Sequence, residues 1–99
     1  MKAKLVLFLS LLLGCLAVLV NGESVYVSRL FADCYQYEDF ILVDDTSKVD
    51  ELKRVVIISR DGRYREEHGI KHVYDGRAIY LTERLRSDFY SGARIYQDR

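Results

Sequence analysis

The chain has 99 residues, 49% of them apolar and none of them proline, which excludes a disordered, proline-rich secreted peptide. Two cysteines are too few for the disulfide framework that supports most very small secreted domains. Fifteen basic and fifteen acidic residues cancel over the whole chain, but they are unevenly placed along it.

The chain opens with Lys2 and Lys4, and residues 5–20 then form an apolar run interrupted only by Ser10 and Gly14. Val20, Asn21 and Gly22 end it with small or short side chains. This layout predicts a secretory signal peptide over residues 1–22, cleaved after Gly22, and a single domain over residues 23–99. A membrane anchor fits less well, because a spanning helix needs about 20 apolar residues. No basic cluster follows the run either; Glu23 and Ser24 do. Leu12, Leu13, Gly14 and Cys15 resemble a lipobox, but the apolar stretch continues past Cys15, where a lipoprotein turns polar. The expected location is therefore outside the cell.

Cleavage would remove Cys15, Lys2 and Lys4, leaving Cys34 as the one cysteine and 13 basic against 15 acidic residues. No internal disulfide is then available, so packing, an oligomer or an intermolecular bond must hold the fold. Cys34 reads either as a small buried hydrophobe or as the link of a homodimer. Residues 23–52 carry eight acids and two bases, and residues 53–99 carry seven acids and eleven bases. The two halves are expected to attract each other. Ten of the 13 bases are Arg, and eight Tyr accompany them. Both types are enriched at binding hot spots, and both also ladder the outer faces of sheets.

Residues 24–30 alternate, which predicts a strand with Val25, Val27 and Arg29 on one face and Tyr26, Ser28 and Leu30 on the other. Phe40, Ile41, Leu42 and Val43 predict a short buried strand ended by the turn at residues 44–47. Thr46 or Ser47 could cap a short helix running to Lys53, with Val49 and Leu52 on one face. Residues 55–58 are β-branched throughout, which favours a central strand. Asp61 with Gly62 and Asp75 with Gly76 are two hairpin signals, since a type I′ turn needs positive φ at both central residues. Around the second, Ile70, His72 and Tyr74 are expected on one face and Val73 opposite Ile79 or Leu81. A last strand is expected near residues 93–96. The reading is a mainly β fold: a small antiparallel sheet or barrel-like domain of five to seven strands in hairpins, with at most one short helix. An α+β arrangement is the alternative.

Chemistry is sparse. His68 and His72 would lie about 13 Å apart on a strand, too far to share an ion. The 44–47 turn is oxygen-rich but lacks EF-hand spacing, and Lys48 and Val49 depart from the calcium loop of the βγ-crystallin Greek key, so it reads as a solvated turn and helix cap. Tyr35 and Tyr37, among Asp33, Glu38 and Asp39, read as an acidic loop with semi-buried rings; in an exported chain, tyrosine sulfation is the alternative. Lys53 and Arg54 form a dibasic pair that burial of the following strand would shield. Neither a nucleophile elbow nor a glycine-rich phosphate loop is present, so no enzyme and no cofactor are expected.

The function expected is a secreted, non-enzymatic protein that binds another macromolecule through a Tyr/Arg-rich sheet surface. Arg63, Tyr64, Arg65, Arg77, Tyr80, Arg84 and Tyr90 are the candidate contact residues. The partner would be an extracellular protein or a polyanion; Arg60, Arg86 and Arg94 add to the basic half. The alternative is an effector, such as a protease inhibitor or toxin, acting through one of the two Asp-Gly loops.

Overall fold

The computed structural model describes residues 24–74 and 76–99. The expected signal segment lies outside the described residues, as does Asp75 of the second turn. Seven strands form in chain order: β1 Ser24–Arg29, β2 Phe40–Leu42, β3 Val55–Ile58, β4 Arg65–His68, β5 Ile70–Tyr74, β6 Ala78–Leu81 and β7 Arg94–Asp98. They make two antiparallel sheets, ordered β1-β7-β3-β4 and β2-β6-β5. The fold is mainly β, as expected; the sheets do not close into a barrel, and the described residues contain no helix.

The chain passes from one sheet to the other after β1, β2, β4 and β6. Both sheets therefore contribute to one core. Ile57 and Ile95 come from the four-stranded sheet, and Ile41, Ile79 and Leu81 from the three-stranded one. Leu30, Cys34, Leu85 and Phe89 enter the same cluster from connecting segments. Each fully buried Ile, Leu or Phe contributes roughly 1.5–3 kcal/mol of hydrophobic stabilisation. The β-branched β3 lies inside its sheet, between β7 and β4, where both neighbours cover its backbone.

Four sequence expectations change. The helix over residues 46–53 is a pair of turns. Asp45 accepts the N–H and hydroxyl of Ser47, the N–H of Val49 bonds to Thr46 O, and Asp50 accepts the N–H of Leu52. Short polar side chains capture the N–H groups that a helix would use, and Leu52 is 95% exposed rather than buried. The first Asp-Gly loop is not a two-residue type I′ turn. Among the non-glycine residues described only Tyr37 has positive φ, so Asp61 cannot fill the first position. Instead Ser59 and Tyr64 close a longer loop, with Asp61 Oδ1 accepting from Ser59 Oγ and the Arg63 N–H.

The other two changes are bulges. Lys71 is an extra residue between the Ile70–Leu81 and His72–Tyr80 pairs, so Ile70 packs on the core while His72 and Tyr74 face out. Val73 does oppose Ile79. In β1, Val27 is extra between the Tyr26–Tyr96 and Ser28–Ile95 pairs. One inserted residue reverses the alternation beyond it. Tyr26 and Arg29, expected on opposite faces, are both exposed.

Candidate functional site

The β1 bulge assembles the most distinctive surface of the described residues. On the outer face of the four-stranded sheet, Tyr26 stands opposite Tyr96 and Arg29 opposite Arg94. The two Tyr rings meet edge to face, with centroids 5.9 Å apart. A concavity of about 1040 Å³ opens over them, lined also by Phe31, Asp44, Arg60 and Gly92. Arg29 Nε donates to Asp44 Oδ2 at 2.8 Å. Among the described residues, Arg60 and Arg94 have no carboxylate partner. Three guanidinium groups thus share one hollow with a single carboxylate.

Gly92 shapes this hollow. Its φ is +96°, and a Cβ there would lie 2.8 Å from Arg60 Cδ. The bare backbone lets the Arg60 stem lie flat against the turn before β7. Arg60 also lines a second hollow of about 580 Å³, with Ser59, Asp61, Tyr64, Asp88 and Tyr90. A third, of about 310 Å³, lies beside Tyr64, Tyr90, Gln36, Ser87 and Asp88. Carboxylates tie the loops around these hollows: Asp33 accepts the Ser91 N–H and Asp88 the Gln36 N–H, each at 2.8 Å.

The candidate contact residues fall in several places. Tyr64 and Tyr90 share the two smaller hollows. Arg77 stacks over Phe31 at 4.1 Å, on the rim of the large one. Arg65 pairs in register with Ile58, which also pairs with Arg94, so it continues the arginine row toward β4. Arg63 and Arg84 are exposed outside the strands. Tyr80 lies on the other sheet, stacked on Phe40 at 5.3 Å and edge-on to Tyr74 at 5.1 Å. Sequence reasoning placed Tyr26 with Arg29 on opposite faces and gave no role to Tyr96. Only the bulge brings them together, and nothing in residues 24–30 signals it.

The remaining candidates lie away from these hollows. Cys34 is 3% exposed, and its N–H and C=O both pair with Phe89 at 2.8 Å. Burial above all, against the Phe89 bond, pushes its thiol up to about 12. His68 is fully buried in β4, whereas His72 is exposed in β5 on the other sheet. Glu66 is also buried, with Oε1 2.8 Å from His68 Nε2. Tyr35 and Tyr37 are exposed rather than semi-buried, and the Asp33 carboxylate raises the Tyr35 hydroxyl above its ordinary value. Lys53 Nζ donates to Asp98 O, and Arg54 Nε pairs with Glu67 at 2.9 Å.

No known protein family matches this chain, and neither does any curated protein or solved structure.

Proposed function

We propose that this is an exported, non-enzymatic protein that binds another macromolecule through the outer face of its four-stranded sheet. The observation carrying the reading is the wide hollow in which Tyr26, Tyr96 and three arginines converge. Tyr and Arg offer large contact area and forked donors, the chemistry that dominates binding hot spots. The hollow is wide and open to solvent, which suits a large ligand better than a small substrate. Glu66 and His68, a carboxylate and imidazole in contact, are both buried in the core and cannot reach a substrate. Export rests on the signal-like residues 1–22.

A second reading has its own support. The Asp61–Gly62 loop lines the 580 Å³ hollow beside Tyr64 and Tyr90, so a loop-borne effector remains an alternative. Capture of partners from extracellular medium on the immobilised chain separates the two. Under the leading reading, the double variant Tyr26→Ser, Tyr96→Ser loses the captured partner at least about tenfold, as hot-spot truncation typically does. Asp61→Ala retains it. The reverse pattern favours the effector. Circular dichroism melts of both variants check that the fold persists.

A further inference from the structure

Resting on that binding reading, we infer that the outer face of the four-stranded sheet takes a sulfated glycan. Its sulfate groups would be held by Arg29, Arg60 and Arg94, and its sugar rings would lie against Tyr26 and Tyr96. The charge argument comes first. Arg29 and Arg94 are register partners on neighbouring strands, so their backbones are only about 5 Å apart. Like charges directly opposite each other are unfavourable. Asp44 neutralises Arg29, but Arg94 and Arg60 line the same hollow with no ion-pair partner among the described residues. An anion seated between them removes that repulsion. A guanidinium fork offers two parallel N–H donors to the oxygens of a sulfate.

Shape and backbone chemistry narrow the class. The hollow, about 1040 Å³, is far larger than one sulfate needs, so the ligand brings more than one group. Strand β7 is bonded to β1 on one side and β3 on the other. An extended peptide laid across β7 finds that strand's main chain already paired, and strand backbone is left open only at the edges β1 and β4, so the floor of the hollow does not offer the backbone pairing that peptides gain from sheets. The charged donors here are the arginine side chains. Sugar hydroxyls and sulfates require nothing else, and the apolar faces of sugar rings pack on tyrosine. Nucleic acid also offers anions and flat rings, but an exported chain meets glycans instead.

The test titrates the expressed chain at physiological salt with four probes. They are a heparin-derived octasaccharide, its desulfated form, a polyglutamate peptide and a single-stranded DNA oligomer. The octasaccharide is expected to bind. Arg60→Ala and Arg94→Ala should each weaken it about tenfold, the ordinary worth of a charge-assisted contact. Lys71→Ala, an exposed cation on the other sheet, should leave it unchanged. The desulfated form should bind at least about a hundredfold more weakly, as loss of two such contacts requires. If polyglutamate or DNA binds as tightly through the same arginines, the glycan is overturned while the binding face stands. If octasaccharide affinity ignores Arg60 and Arg94, the placement is overturned. If none of the four probes binds, the glycan is again overturned, and the partner capture above decides the broader reading on its own.

Discussion

Glu66 is a charged side chain placed where water cannot reach it. Burial alone would raise its carboxyl. The Arg86 N–H, His68 Nε2 and Ser87 outweigh that and hold it below its ordinary 4.5. Both carboxylate oxygens accept from the Arg86 N–H, at 3.0 and 3.1 Å. An ionised carboxylate only accepts, so His68 Nε2 is the donor to Oε1. His68 Nδ1 is then buried with no hydrogen-bond partner among the described residues. Glu66 thus pins the segment that carries Leu85 into the core. Its folded pKa is depressed, so the stability it gives is present above the ordinary carboxylate range and lost as pH falls below it. Glu66→Gln should cost about 1–3 kcal/mol at neutral pH, the range for a disturbed buried hydrogen bond. Urea unfolding at pH 7 and pH 3 checks this: the gap between native and variant should shrink in acid. An equal gap at both values would mean that the charge is not the source. Gln97 shows the neutral solution to the same problem. Its buried amide accepts the Asp50 N–H and donates to Asp50 O and Lys53 O, satisfying a segment that joins no strand.

Among the elements, the strands were legible where composition alone decides them. The run at residues 55–58 is β-branched and apolar, and it becomes an inner strand. The Ile79–Val73 pairing follows from alternation around Asp75 and Gly76. Bulges were not legible, because the extra residues Val27 and Lys71 suit a regular strand equally well. Their positions are set by the partner strand across the ladder. The 46–53 turns were misread because Ser, Thr and Asp cap helices and also close turns. Charge balance between the halves does not show up as specific ion pairs: among the described residues Arg29 pairs with Asp44 and Arg54 with Glu67, each within its own half, and Glu51 with His72 is the pair that crosses. The proposed binding face therefore depends on one bulge and one turn. At that turn, Gly92→Ala adds a Cβ at a φ where L-residues are strained by about 1–2 kcal/mol. The Cβ also displaces Arg60, whose exposed stem can swing away. Loss of about that much stability in a denaturant titration is expected, together with weaker octasaccharide binding. Full retention of both would show that the turn does not shape the hollow.

For the molecule as a whole, the question is what holds a domain expected over residues 23–99 together with no disulfide among its described residues. Domains of this size bury a modest share of their surface and are marginal. Here the chain crosses between sheets four times and feeds one core, so neither sheet can open without exposing the other. Cys34 reports on that coupling. It lies inside the shared cluster and is clamped to Phe89 through both backbone groups. A bond from its sulfur to a second chain requires this clamp to open. If the core is one cooperative unit, Cys34 reacts with a thiol reagent only from the globally unfolded state. Its rate should then be suppressed at least about a thousandfold against a free thiol, given typical stabilities per residue. The rate should also rise with urea along the same slope as equilibrium unfolding. A rate indifferent to urea would mean that the 34–89 bridge opens by itself. Alkali gives a second measure. The folded thiol is pushed up to about 12 from 9.0, so the unfolded chain ionises first. Stability present below pH 9 is lost as pH rises from 9 toward 12. Cys34→Val, which cannot ionise, should show a shallower loss over that window. Equal loss in both proteins would place the alkaline sensitivity outside Cys34.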